Sequence, residues 1–142
     1  MSNSNADNAR LLLIAGGLDG NIIKIGRLPS TPNAVMAIVD APGQAPNPKW
    51  LLDYPALQVL VRGEIDDYAA AQQTARDVKD ILLGIYSLNV GPDGDRWNSV
   101  LMRGDINYIG PDDNSRPVFS LNFGLIIEPA PSASTNREAL PL

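Results

Sequence analysis

Tyr54-Pro55-Ala56-Leu57-Gln58-Val59-Leu60-Val61-Arg62-Gly63 reads as a β-strand, and so does Asn114-Ser115-Arg116-Pro117-Val118-Phe119-Ser120-Leu121-Asn122-Phe123. Each stretch carries an arginine at a strand end. Leu57 to Arg62 is mostly aliphatic, the composition of a central strand covered on both faces. Val118 to Glu128 alternates instead, with Phe119, Leu121, Phe123 and Leu125 set between Ser120, Asn122 and Gly124. That period of two puts one face on a core and leaves a polar face for solvent or a neighbouring chain.

A helix separates the two strands. Tyr68, Ala71, Ala75, Val78, Leu82 and Ile85 recur at spacings of three and four, which predicts one apolar helical face from about Asp67 to Ile85. Asp66 and Asp67 offer an N-cap and favourable charge at its start, and Gly84 falls near its end. A shorter helix is expected from Ala6 to Ala15, with Asp7 as a cap and Gly16-Gly17 as a stop. Ala34 to Asp40 is rich in β-branched residues and predicts a strand, as do Leu88–Val90, Arg96–Arg103 and Asn107–Ile109. Gly20 to Pro29 reads as a short extended stretch. Pro42 to Pro48, with three prolines and a glycine, reads as a loop. Turns are expected at Gly91–Asp95 and Gly110–Asn114. The expected fold is α+β: a mixed, mainly antiparallel sheet flanked by one long helix and a short N-terminal helix. Residues 1–128 form one domain, and residues 129–142 read as a flexible tail.

Composition narrows the function classes. The chain has 142 residues, long enough for a real core. The net charge of −5 argues against nonspecific duplex binding, which needs Lys and Arg facing phosphates. It leaves room for acidic walls along a channel through which DNA slides. The sequence contains no Cys and no His. Thiolate sites, Ser-His-Asp triads and Cys-His pairs are therefore absent, as is the commonest metal ligand. The longest apolar run, Leu11 to Ala15, is far too short to cross a membrane. The start, MSNSNADNAR, lacks the features of a signal peptide, so a reducing cytoplasm is the expected place of synthesis.

No complete catalytic or binding motif emerges. Gly16 to Gly20 lacks the Lys-Ser/Thr ending of a phosphate loop and reads as a helix stop. Asp93/Asp95 and Asp112/Asp113 supply oxygen ligands without the spacing of a calcium loop, and such residues also suit turns. Glu64, Asp66 and Asp67 are explained by capping. Arg62 and Arg116 are each either solvated, paired with a nearby acid, or part of an interface salt bridge, since Arg is favoured at protein contacts. Trp50, Tyr54 and Trp97 are either contact anchors or core fillers. The candidate interface residues are Trp50, Arg62 and Arg116.

Several segments together resemble a known family. They are Gly26-Arg27-Leu28-Pro29, Asp40 before the Pro/Gly loop, Tyr54-Pro55 with Gln58-Val59, and Val61-Arg62-Gly63. Tyr68-Ala69-Ala70-Ala71, Gly104-Asp105, Ile109-Gly110, Asp112 with Asn114, Arg116-Pro117, Phe119 to Phe123 and Glu128-Pro129 follow in order. From about Gly20 to Pro129 the chain resembles the tail terminator proteins of long-tailed bacteriophages, also labelled head–tail joining or minor capsid proteins. The resemblance implies a mixed sheet flanked by helices, assembled as a homo-hexameric ring at the head-proximal end of the virion tail. Such a ring ends tail-tube polymerisation. Its implied partners are further copies of itself, the tail-tube protein and neck or connector proteins, with DNA passing through the lumen unbound and no membrane involved. The implied N-terminal helix is longer than Ala6 to Ala15. The resemblance carries over no catalytic residue, cofactor or metal. A small Asp/Arg-based ligand-binding or enzymatic cytoplasmic domain is the alternative, and an acidic cytoplasmic adaptor is a third. Convergent carboxylates in a closed pocket would mark the enzyme.

Overall fold

A computed structural model describes residues 3–47, 52–92 and 94–128. Two helices, α1 (Asn5–Ala15) and α2 (Tyr68–Leu83), accompany seven strands: β1 (Ile23–Ile25), β2 (Val35–Asn47), β3 (Leu52–Arg62), β4 (Tyr86–Val90), β5 (Asp95–Met102), β6 (Asn107–Pro111) and β7 (Pro117–Glu128). All seven belong to one sheet, ordered β1-β2-β3-β7-β5-β4, with β6 also paired to β7. Only the β1–β2 pairing is parallel. The fold is α+β, as the sequence predicts.

The two strands that decide the fold lie side by side. Leu57 faces Phe123, Val59 faces Leu121 and Val61 faces Phe119, so three apolar pairs point to one side. Met36 and Ile38 of β2, and Val100 and Trp97 of β5, extend that side across the sheet. Both helices contribute buried residues to the core formed there: Ala6, Ala9 and Leu13 from α1, and Ala71, Ala75, Val78 and Leu82 from α2. Alanines at the start of each helix let its axis approach closely. Tyr68 is half-exposed rather than buried, yet its ring stacks edge-on against Tyr108 at 5.0 Å and lies 5.1 Å from Phe119.

Local signals explain the helix ends. Asp67 caps α2, accepting from the Ala70 N–H at 3.2 Å. The cap of α1 is Ser4 rather than Asp7. Ser4 Oγ accepts from the Asp7 N–H, and the Asp7 carboxylate accepts from the Ser4 N–H, a reciprocal capping box. Two bonds fix α1 to the sheet margin: Ala6 N–H donates to Asp40 Oδ1, and Arg10 Nε to the Ile23 carbonyl.

The proline-rich stretch differs from expectation. Residues from Pro42 to Asn47 continue β2 instead of forming a loop. Only Ala41, Gln44 and Asn47 pair with β3 there, with bulges between them. Pro42 and Pro46 occupy unpaired positions, where a missing N–H costs no ladder bond. Gly43 is needed at the first bulge: a Cβ added to it would lie 1.9 Å from the Tyr54 carbonyl oxygen. The sheet margins therefore differ. One carries the three-residue β1 and the prolines of β2. The other, β4, has neither proline nor charge and exposes Tyr86 at 83%.

Candidate functional site

Of the candidate interface residues, Trp50 lies outside the described residues, as does the tail from Pro129. Arg62 and Arg116 are brought together, and both are buried within their own chain. Arg62 ends β3 opposite Val118 and points away from the helices, because it alternates with core-facing Val61. Its Nε donates to the Asn33 carbonyl at 3.0 Å, and Nη2 donates to the Pro29 and Pro32 carbonyls. Arg116 Nη1 donates to the Ser30 carbonyl at 2.8 Å and to Asn33 Oδ1 at 3.3 Å. The segment 29–33, which contains a cis Thr31–Pro32 bond, is thus clamped over the helix-free side of the sheet. Within the chain both arginines hold a loop.

Electrostatics follows from this crowding. Burial pushes the Arg62 guanidinium below its ordinary value, the Arg116 charge adds to that, and Asp112 opposes it. Asp112 balances the pair. Its Oδ2 accepts from Arg116 Nε at 2.8 Å, and its Oδ1 accepts from the Arg116 and Asn114 N–H groups. Burial alone raises the Asp112 carboxyl, but those bonds and the Arg116 charge outweigh it, and the net shift is downward. This is a structural ion pair inside a turn. It gives Asp112 a role other than holding calcium, and among the described residues no cluster of three metal-ligating groups occurs. The possible phosphate loop at Gly16 is a helix C-cap. Trp97 is buried in the core, its indole N–H without an acceptor among the described residues.

Among the described residues nothing covers the other half of the helix-free face, and sequence reading missed it. Tyr54, Leu101 and Ile126 border an open depression of about 360 Å³. Ala56 and Asn122 border a second, of about 340 Å³. Arg103 lines both. The only signal in the sequence is a lone arginine after a strand, which has meaning only once Gly124 is seen beside it. Neither depression gathers carboxylates, so the arrangement suits a contact surface better than a reaction centre.

Comparisons with known proteins add to this. No match was found among curated proteins. Among solved structures, a chain in a structure described as "Virion of native gene transfer agent (GTA) particle" has a TM-score of 0.54 at 18% identity, covering 87% of each chain. That likeness establishes a shared fold. A family model described as "Bacteriophage tail terminator protein" matches residues 12–129. This stretch runs from the second half of α1 to the residue after β7 and holds every strand, so the chain belongs to the bacteriophage tail terminator protein family.

Proposed function

We propose that this phage tail structural protein forms a hexameric ring at the head-proximal end of the virion tail. There it ends tail-tube polymerisation and joins the tail to the neck. The observation that carries this reading is the family match across the whole sheet. Its partners are copies of itself, the tail-tube protein and neck or connector proteins. It is made in the host cytoplasm and catalyses nothing.

Physical features support the same reading. Arg62 and Arg116 are turned inward, which leaves the surface of a chain with net charge −5 more acidic still. An acidic lumen lets DNA pass without holding its phosphates. Trp50, between β2 and β3 in the sequence, contributes to the contact with an adjacent subunit. Arg62 and Arg116 contribute to ring contacts by fixing the 29–33 segment. A closed ring saturates its own contacts and leaves no surface for another layer of tube.

Particle imaging of assembled tails, with native mass spectrometry, tests this. A closed six-copy ring at the head-proximal end is the expected result. Absence from purified virions, or a strict monomer on an assembled tail, sinks the reading.

A further inference from the structure

Among the described residues, the helix-free face presents a cation with no partner. A Cβ added to Gly124 would lie 3.2 Å from Arg103 Nε, 3.6 Å from Nη2 and 3.8 Å from Cζ. Both nitrogens are nearer than Cζ, so the guanidinium turns its Nε–Nη2 edge toward β7 at Gly124, where the strand has no side chain. Among the described residues the Arg103 side chain has no hydrogen-bond or ion-pair partner. Nη1 is not among the atoms nearest Gly124, so the Nη1–Nη2 end of the group is the one turned away from β7 and available to a planar carboxylate. The depressions on either side have apolar walls, including Leu101 and Ile126.

A complementary feature stands elsewhere on the same chain. The turn between β3 and α2 exposes Ile65 at 54%, flanked by Glu64, Asp66 and Asp67. Two of these carboxylates have local work. Glu64 Oε2 accepts from Asn33 Nδ2, and Asp67 caps α2. The Asp66 carboxylate has no partner among the described residues. Its backbone is held in the left-handed region, φ 57°, by an N–H bond to the Ser115 carbonyl at 2.9 Å. The turn is therefore a rigid knob bearing one apolar side chain and one unengaged carboxylate.

We propose that the Ile65–Asp66 turn of one copy docks on the Arg103 face of the next. Ile65 enters the depression beside Leu101 and Ile126, and the Asp66 carboxylate meets the Arg103 guanidinium. This contact rests on the ring reading. Arg103 lies at Gly124, which pairs with Ala56, six residues along β3 from Arg62 and so about 20 Å from the strand end that leads into the knob, too far for a chain to make the contact with itself. The knob and its socket are different surfaces of one molecule. Such head-to-tail contacts close into rings when the rotation between copies allows. Charge selects the occupant: the socket offers one free cation, and the knob offers an acid beside an apolar anchor.

The test uses the full chain, with association followed by native mass spectrometry and sedimentation in the presence of tail tubes. Arg103→Glu and Asp66→Arg should each weaken ring formation by about tenfold or more. The double variant, with the charges exchanged, should restore it. Ile65→Asp should also weaken it. Ile65 and Arg103 are exposed, so their variants should keep the wild-type melting temperature, and Asp66→Asn, which suits the left-handed backbone, should also weaken the ring and so separates lost charge from backbone strain. Lys24→Glu, an equal change of net charge elsewhere, should leave rings intact. Normal rings from Arg103→Glu would overturn the contact and leave the ring reading standing. Failure of the exchanged pair to recover would overturn the pairing. A wild-type chain that never assembles on tubes would remove the ring reading, and this contact with it.

Discussion

Arg62 and Arg116 meet on one asparagine. The Asn33 main-chain oxygen accepts from Arg62, and its side-chain oxygen accepts from Arg116. Two like charges are thereby held side by side, with Asp112 as the counter-ion. Their bonds, with the one from Asn33 Nδ2 to Glu64, tie the segment 29–33 to the ends of β3 and β7.

Removing Arg62 should be costly. Arg62→Met keeps much of the apolar stem but deprives three carbonyls of their donor. Leaving buried acceptors unsatisfied should lower stability by about 3 kcal/mol. Arg62→Lys should recover little, because an ammonium cannot reproduce the planar fork. Urea unfolding measures both. A loss under about 0.5 kcal/mol for Arg62→Met, the range of an ordinary surface change, would mean that the loop holds without the clamp.

Acid should weaken the same corner. The Asp112 carboxyl titrates below its ordinary value of 3.8 in the folded chain. Its stabilising contribution is therefore complete above that ordinary value and is lost as pH falls through the lower folded value. Asp112→Asn should flatten this part of the stability curve while reducing stability at neutral pH. Asp105 is also shifted down, chiefly by its bond from Lys79, but it is well exposed and solvent screens it. Asp105→Asn should leave the acid limb nearly unchanged. Melting curves between pH 2 and pH 6 distinguish the two.

Leu82 is fully buried on the inner face of α2. Leu82→Ala should destabilise the fold by about 2–5 kcal/mol through lost burial and the cavity left behind. A change of a few tenths in chemical denaturation would contradict the packing of this helix.

Gly43→Ala tests the hairpin. The added methyl would collide with the Tyr54 carbonyl oxygen, so β2 and β3 must move apart at the bulge. A loss of about 1–3 kcal/mol is expected, the usual cost of overpacking. Amide exchange should quicken around residues 41–47 and stay unchanged in α2. Uniform protection throughout would mean that the bulge absorbs the methyl.

Melts with and without a chelator should coincide. A chain stabilised by bound calcium would lose melting temperature on chelation, and such a drop would reinstate the aspartates of the two turns as ligands.

How far the sequence could be read depended on whether the deciding contact was local. The α2 helix was legible because Asp67 and the Ala71–Leu82 spacing both lie inside it. β7 was legible because Phe119, Leu121, Phe123 and Leu125 alternate within one segment. The length of β2 was not legible: Pro42 and Pro46 look like loop residues until an unpaired edge position excuses them. The cap of α1 was misplaced by one reciprocal pair, since Ser4 and Asp7 each bond the other's N–H. Arg62 could not be read as a loop clamp, because its acceptors at residues 29–33 come from another part of the chain. Arg103 was silent for the same reason, its setting being made by Gly124 on a different strand.

The unequal margins of the sheet bear on how the protein survives crowding. At high local concentration, bare sheet edges tend to zip together into fibres. A fibre needs each copy to offer a strand on one flank and receive one on the other. Here the flank opposite β4 offers only the three-residue β1 and a stretch of β2 whose prolines have no N–H to give, so strand pairing begun at β4 meets a poor partner there. Two unlike borders of this kind disfavour the repeated edge-to-edge pairing on which a fibre depends.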